Sequence, residues 1–495
     1  MKKKFNYKIF LYCMFISLVM LLFTSKSSPF YPFNDWVDAN AFLTVGKSIM
    51  RGLVPYKDIF EQKGPLLYLI FGIASLMSST SFIGVFILEV IFMSFTLYFS
   101  YLIMRMFLSK RISLLLLPVF LMLLVTCKSF SHGASSEEFM LLFEAITLYY
   151  FIRHFRERRL TNKEYIIVGV LAGIVLLIKY TLFGLWISFI GLTILDDFLN
   201  KEYQNGMKKA FYYLIGFLIP IIITFIYFGI NHGIKDFINV YFVINIASYS
   251  EKISLIRRPF EIIKAFIICL GSNNLLIIGL VLLYPVMVYK LELERKNKNY
   301  LIILFVLTVL IVFYGLKLWS YYALPIVFLM LLTLIGFTCF VKKFFLRKKI
   351  KRFYLVLIIT LIISFVSSYY FSPNKEYHRI KKEEMLQYKY AKIINGDSFV
   401  NMGFGDIGIY NIGNIYPNTY FFELQNIPYN NFKDNIDAFK DYIKNKVTKY
   451  IVYIKDNKED IYLENDTLIK NYDMIEEDVY EFENQKYYAS LWRVK

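Results

Sequence analysis

Residues 60–71 read FEQKGPLLYLIF and place the charged residues Glu61 and Lys63 directly before an apolar run that Gly64 and Pro65 open. The run has roughly sixteen residues, which is short for a membrane span and suits a segment that lies in the membrane interface or re-enters it. Lys63 is therefore predicted at the level of the lipid head groups, where an ammonium group is well placed to hold a phosphate.

The composition around this stretch indicates a polytopic α-helical membrane protein. Hydrophobic residues make up 57% of the 495 residues and aromatic residues 19%, and the mean hydropathy is +0.49. The formal charge of +18 comes mostly from short Lys and Arg clusters between apolar runs, which is typical of cytoplasmic loops. The charge therefore indicates membrane topology, and nucleic-acid binding is excluded as a function.

About eleven apolar segments have roughly the length of a membrane span. They lie at 8–24, 81–104, 112–128, 138–153, 164–180, 181–199, 210–229, 262–289, 300–317, 321–341 and 353–371. Lys2 to Lys4 and the clusters RHFRERR, KEYQNGMKK, KLELERKNKNY and KKFFLRKKIKR all fall on one side, which the positive-inside rule makes cytoplasmic. An odd number of spans then puts the amino terminus on the cytoplasmic side of the cell membrane and the carboxyl terminus on the outer side.

Three regions are predicted on the outer side: residues 25–80 (loop 1), residues 129–139 with the sequence SFSHGASSEEF (loop 2), and residues 372–495. The last region has a different character, because TKYIVYIK and DSFVNMGFGDIGIY are typical of strands and NNFKDNIDAFKDYIKNK is typical of an amphipathic helix. The sequence thus predicts a transmembrane domain at 1–371 and a small extracytoplasmic α/β domain at 372–495.

Loop 1 contains a second helical pattern before the opening stretch. The sequence NDWVDANAFLTVGKSIMRGLVPYKDIF predicts an interfacial helix at about 39–51, with Asp38 as its N-cap and Gly52 at the C′ position.

The order of these motifs resembles that of bacterial glycosyltransferases of the GT-C fold, more narrowly the protein O-mannosyltransferase and aminoarabinose transferase-like group. The resemblance runs from residue 34 to 140 and consists of DWVDANAF, G-x-x-P-Y-x-D, KGPLLY and GASSEEF. It implies transfer of a sugar from a polyprenyl-phosphate donor to an acceptor on the outer side of the membrane. By this likeness Asp38 matches the catalytic acid of the first loop, Lys63 the basic residue of the Lys-Gly/Pro-Pro motif and Glu138 the acidic residue of the second loop. KGP stands where the aminoarabinose transferases have a doubled proline. The second loop has two adjacent glutamates, so whether Glu137 or Glu138 is the matching acidic residue stays open.

The chemistry itself needs few groups. A sugar esterified to a lipid phosphate carries a good leaving group, so an inverting transfer requires a base for the acceptor hydroxyl and a cation for the departing phosphate. Asp38 is the candidate base, with Glu138 as a second catalytic candidate. The candidate substrate-binding residues are Asp35, Lys63, Glu137, Arg257, Arg258, Lys317 and Tyr321. Arg257 and Arg258 stand out because paired arginines are unexpected in an outer loop.

Most of these residues also have a plainer structural interpretation. Asp38 is equally well explained as a helix cap, and Lys63 as an interfacial anchor. Glu137 and Glu138 suit the start of a helix, and Tyr321 lies in an aromatic cluster typical of a membrane interface. DWVD is too short to define a metal site, so the sequence leaves open whether a divalent cation is required.

Two other classes of function also occur among proteins with many membrane spans. A transporter or flippase for lipid-linked saccharides would need many spans, but it should show two related halves with broken helices, and no such repeat is visible in the sequence. A non-catalytic membrane protein with an outer binding domain would not explain acidic and basic residues in loops 1 and 2. The sugar and the acceptor, whether a glycan, a lipid or a protein, are left open.

Overall fold

The computed structural model describes residues 5–249, 253–344, 352–456, 465–482 and 485–495; Lys2 to Lys4 and residues 345–351 of the cluster KKFFLRKKIKR lie outside these ranges. The helices are, in chain order, α1 Tyr7–Thr24, α2 Val37–Ile49, α3 Pro65–Met77, α4 Ile83–Phe107, α5 Lys110–Val125, α6 Ser136–Arg156, α7 Asn162–Ile178, α8 Gly184–Leu199, α9 Tyr203–Ile230, α10 Ile234–Phe237, α11 Arg258–Gly271, α12 Leu275–Leu282, α13 Tyr284–Val288, α14 Arg295–Val312, α15 Leu324–Phe328, α16 Met330–Phe344, α17 Phe353–Tyr370, α18 Leu386–Ile394, α19 Ile409–Ile412, α20 Asp434–Lys444 and α21 Asn465–Asn471.

Each predicted span coincides with helical structure. Within the described residues, six helical segments are long and apolar enough to cross a membrane on their own: Tyr7–Thr24, Ile83–Phe107, Tyr180–Leu199, Tyr203–Ile230, Ser320–Lys342 and Phe353–Tyr370. The other predicted spans correspond to helices that are shorter or more polar, including α5, α6, α7 and α14.

The prediction of one continuous span at 262–289 is wrong. The chain forms α11, α12 and α13 there, and α11 ends at Gly271. The side chain of Asn274 accepts a hydrogen bond from the backbone N–H of Ile277 at 3.0 Å and caps α12. The sequence Gly-Ser-Asn-Asn at 271–274 contains the turn and capping residues that favour this break.

The chain forms two compact units, and each is assembled from separate stretches. Unit 1 comprises residues 1–30, 86–224 and 252–375, and unit 2 comprises residues 31–85, 225–251 and 376–495. The predicted domain boundary at residue 372 stays a prediction.

Unit 1 is a helical bundle in which small residues allow close approach of the helices. A Cβ atom added at Gly173 of α7 would lie 2.5 Å from the carbonyl oxygen of Phe217 in α9. Gly169, one turn earlier, faces the same helix near Tyr213. Small residues spaced by four are a common basis of helix packing in membranes, because they let backbones come into contact.

Unit 2 contains a four-stranded mixed sheet in the order β1-β2-β4-β3. Its strands are β1 Phe399–Met402, β2 Tyr450–Lys455, β3 Tyr472–Phe482 and β4 Gln485–Val494. β1 and β2 are parallel, with Val400 opposite Ile451, and the other two pairs are antiparallel. The predicted strands at DSFVNMGFGDIGIY and TKYIVYIK are confirmed as β1 and β2, and the predicted amphipathic helix as α20.

Helices α2 and α3 of loop 1 also belong to unit 2 and pack directly on each other. A Cβ atom at Gly46 of α2 would lie 2.6 Å from the backbone nitrogen of Gly72 in α3. Any larger side chain at Gly46 would therefore push the two helices apart.

The prediction that Asp38 caps α2 is wrong. The N-cap residue is Trp36, and Asp38 lies in the first turn of the helix, because α2 begins at Val37, two residues earlier than predicted. A carboxylate in the first turn still interacts favourably with the positive end of the helix dipole. Gly52 follows the helix with a φ of +96°, a backbone conformation that glycine adopts without strain.

Candidate active site

In unit 2, both the backbone N–H and the backbone carbonyl oxygen of Lys63 are hydrogen-bonded. Its N–H donates to Glu61 Oε2 at 3.0 Å and to the Tyr68 hydroxyl at 2.8 Å. Its carbonyl oxygen accepts from the Tyr56 hydroxyl at 2.6 Å. The Tyr68 hydroxyl also donates to Glu61 Oε2. The position of Lys63 is thus fixed by main-chain contacts that do not depend on its side chain.

The ammonium group of Lys63 lies between two carboxylates. Its Nζ is 3.9 Å from Asp38 Oδ2 and 3.7 Å from Glu61 Oε1. The side chain of Asp38 is 28% exposed, whereas that of Glu61 is 6% exposed. Glu61 is buried, and its carboxylate accepts hydrogen bonds from Tyr68 and from the Lys63 amide, so it holds the main chain of Lys63 in place. Asp38 is the carboxylate of this pair that a substrate could reach.

Asp35, the other acidic residue at the start of loop 1, lies near Tyr377 of unit 2. Burial raises the pKa of Tyr377 well above its ordinary value, and the negative charge of Asp35 raises it further. This contact connects Asp35 to the segment that precedes the sheet.

Loop 2 belongs to unit 1 and is organised by buried acidic side chains. The N–H of Ala134 donates to Glu89 Oε1 at 2.5 Å and to Glu138 Oε2 at 2.8 Å. Ser135 caps α6 by accepting from the N–H of Glu138 at 3.0 Å. Ala134 has a φ of +61°, which is unusual for a residue with a side chain. Glu138 therefore holds the loop backbone in the structure, and its catalytic role stays a prediction.

Glu137 forms a buried ion pair that the sequence did not indicate. Glu137 Oε1 lies 2.5 Å from Nζ of Lys179, and its Oε2 accepts from the Ser136 hydroxyl at 2.7 Å. Lys179 occupies the point where α7 ends, and its Nζ is 3.8 Å from the ring centre of Tyr322 and 5.3 Å from that of Tyr321. Two predicted binding residues, Glu137 and Tyr321, are thus brought together by Lys179.

We expect Lys179→Met to lower the free energy of unfolding by about 3–5 kcal/mol, because it leaves Glu137 buried with its charge uncompensated. The double variant Lys179→Met/Glu137→Gln should recover much of the loss. Denaturation in detergent micelles measures both, with Lys163→Met, an exposed lysine at the start of α7, as the control. A Lys179→Met protein as stable as the wild type would contradict this assignment.

The remaining predicted binding residues lie elsewhere in unit 1. The Arg258 guanidinium donates to the carbonyl oxygens of Tyr314 at 3.1 Å and Ile253 at 3.4 Å, and it lies 4.6 Å from the Tyr314 ring centre. Arg257 is exposed at the N-cap of α11. The backbone carbonyl of Lys317 accepts from the Cys269 thiol at 3.7 Å. In this structure Arg258 is bound by protein carbonyl groups.

Within the described residues, no group of three or more His, Cys, Asp or Glu side chains has the arrangement of a metal site. Whether the reaction requires a divalent cation, which the sequence DWVD leaves open, stays a question for experiment.

The chain matches known proteins in two ways. A family model described as dolichyl-phosphate-mannose-protein mannosyltransferase matches residues 62–228. A crystal structure of ArnT from Cupriavidus metallidurans bound to undecaprenyl phosphate matches with a TM-score of 0.61 and 10% identity, over 98% of this chain and 97% of that chain. No curated protein matches the chain significantly by sequence.

The chain has the GT-C glycosyltransferase fold. The predicted GT-C-like, polytopic α-helical fold class and the resemblance stated above are thereby confirmed, and the protein is a multi-pass membrane protein. The count of about eleven spans and the outer position of the carboxyl-terminal region stay predictions. The family match contains Lys63, Glu137, Glu138 and Lys179, whereas Asp38 precedes it and lies only within the structural match. The transporter and the non-catalytic alternatives are not favoured by these matches.

Proposed function

We propose that this protein transfers a sugar from a polyprenyl-phosphate donor to an acceptor hydroxyl, with inversion at the anomeric carbon. The observation that carries the proposal is the pairing of Asp38 with Lys63 at 3.9 Å in loop 1. A carboxylate and a cation side by side provide the two groups that such a transfer needs. The family model, described as a mannosyltransferase that uses a lipid-phosphate sugar, supports the same reaction class.

In the proposed step Asp38 accepts the proton of the acceptor hydroxyl while that oxygen attacks the anomeric carbon. The bond between this carbon and the phosphate oxygen breaks, and the electron pair leaves with the polyprenyl phosphate. Lys63 stabilises the charge that develops on the departing phosphate. Phosphate is a good leaving group, so no separate general acid is required.

Glu61 supports this step by its position. It accepts from the Lys63 amide and from Tyr68, so its carboxylate is engaged while that of Asp38 is accessible. We therefore assign Asp38 as the base and Glu61 as the residue that orients Lys63.

The test is transfer by the purified protein from a panel of polyprenyl-phosphate sugars to cell-envelope glycan, lipid and protein acceptors. Mass spectrometry should detect a glycosylated product and free polyprenyl phosphate in equal amounts. A parallel reaction with a chelator measures the metal requirement. Failure to consume any lipid-phosphate sugar, with the whole panel tested on folded protein, would overturn the proposal.

We further propose that loops 1 and 2 and the carboxyl terminus face the outer side of the cell membrane. Alkaline phosphatase fused after Lys495 should then be active, because this reporter requires an extracytoplasmic position. The same enzyme fused after Arg159, the last residue of RHFRERR, should be inactive. An inactive fusion at Lys495, with the protein present at normal abundance, would refute the orientation.

A further inference from the structure

Helix α2 carries a buried polar stripe that the reaction just described does not use. Asn40, Thr44 and Lys47 recur at a spacing of four and three residues, so they lie on one face of the helix. Asn40 and Thr44 are 0% exposed and Lys47 is 2% exposed. Buried polar groups of this kind need hydrogen-bond partners.

Each of the three side chains has a hydrogen-bond partner in residues 406–411, at the carboxyl side of β1, and Asn40 donates in addition to the carbonyl oxygens of Asn34 and Trp36. The Thr44 hydroxyl donates to Asp406 Oδ2 at 2.6 Å. The Lys47 ammonium donates to the carbonyl oxygen of Tyr410 at 2.7 Å. Asn411 Nδ2 donates to Asn40 Oδ1 at 3.0 Å. The three contacts follow the helix axis one after another and define how α2 is rotated.

Asp406 is itself held in place before it meets α2. Its Oδ1 accepts from the N–H of Gly408 at 2.8 Å, and its own N–H donates to Glu423 Oε2. Gly408 has a φ of +100°, and a Cβ there would lie 2.7 Å from Asn40 Oδ1. The acceptor of the Thr44 hydroxyl is therefore a fixed point of unit 2.

The network is not a simple source of stability. Burial raises the pKa of Asp406 to about 6 and lowers the pKa of Lys47 to about 7, so the interior opposes the charge on both groups. Apolar side chains of similar volume often serve stability as well as buried charges do. What the polar stripe provides in addition is a single rotation and register for α2.

Asp38 lies on the same helix, six residues before Thr44, or about 9 Å along the axis. We propose that Thr44 and Asp406 are positioning residues, which fix α2 so that the Asp38 carboxylate stays opposite Lys63. The proposal rests on the proposed function and deepens it. It makes the carboxyl-terminal region of the chain part of the catalytic arrangement.

The test compares Thr44→Val, which removes the hydroxyl at nearly constant volume, with Thr44→Ser, which retains it. Thr44→Val should lower kcat by about 10- to 100-fold, as misplacement of a catalytic group does, with the KM for the lipid-phosphate sugar within about twofold of the wild-type value. Thr44→Ser should retain most of kcat. Thr360→Val is the matched control, because that hydroxyl bonds only to the Val356 carbonyl of its own helix among the contacts described.

Hydrogen exchange of residues 37–49 supplies a readout that does not require turnover. Thr44→Val should exchange faster in this segment than the wild type and Thr44→Ser. Unchanged exchange and unchanged kcat in a monodisperse Thr44→Val protein would overturn the inference, and so would equal losses in the Val and Ser variants. If the wild-type protein transfers no sugar, the proposed function is refuted. Faster exchange in Thr44→Val would in that case still support the positioning of α2 by Thr44.

Discussion

Asp38→Asn is expected to reduce the rate of sugar transfer by about two to four orders of magnitude, since an amide cannot accept the proton of the acceptor hydroxyl. This corresponds to a barrier roughly 3–5 kcal/mol higher. Because Asp38 lies in the first turn of α2 and is not its cap, the helix should lose only about 0.3–1 kcal/mol from the missing charge. The variant should therefore fold and bind the donor.

The measurement for Asp38→Asn is single-turnover transfer with saturating donor. Asp58→Asn is the control in the same loop: Asp58 is exposed, and its Oδ2 accepts from the N–H of Val54 at 2.7 Å, a bond that asparagine can also accept. Near-normal turnover by Asp38→Asn would remove Asp38 as the base and direct attention to Asp35 and Glu138.

Lys63→Ala is expected to weaken binding of the lipid-phosphate donor by roughly 10- to 100-fold, the loss that follows removal of a charge-assisted hydrogen bond to phosphate. Lys63→Arg should retain part of the affinity, since it keeps the charge with a different geometry. Both variants should fold, because Glu61, Tyr68 and Tyr56 bond to the main chain of Lys63.

Donor affinity of the Lys63 variants is measured by titration of the solubilised protein with a polyprenyl-phosphate sugar, and a parallel titration with polyprenyl phosphate measures the contribution of the lipid phosphate alone. Lys57→Ala is the matched control, because Lys57 is a lysine of the same loop whose exposed ammonium donates to the carbonyl of Asn231 at 2.9 Å. Unchanged affinity in a folded Lys63→Ala protein would take Lys63 out of the site.

The helices of the fold could be predicted from the sequence because a membrane span is a local property of twenty or so apolar residues. The break between α11 and α12 cannot be predicted from hydropathy, although Asn274 is a good capping residue. The surrounding residues are so apolar that hydropathy alone continues the span through it. Strands β1 and β2 were predicted for the same local reason, as short apolar runs bounded by turns.

The candidate site could be predicted only in part. The resemblance suggested Asp38 and Lys63 as site residues, and the structure places them 3.9 Å apart. The partners of other residues are far along the chain: Glu137 pairs with Lys179, 42 residues away, and Thr44 bonds to Asp406, 362 residues away. Periodicity and spacing can mark a polar face on one helix, but they do not identify a partner so far along the chain. The spacing of Asn40, Thr44 and Lys47 was the one local signal, and it was obscured by the apolar residues of α2.

The polar stripe on α2 also limits how this protein can be recombined with its relatives. Asn40, Thr44 and Lys47 each form a hydrogen bond with residues 406–411. A substitution in one of these two segments therefore requires a compatible residue in the other. A chimera that receives a foreign carboxyl-terminal region should lose function unless loop 1 is exchanged with it.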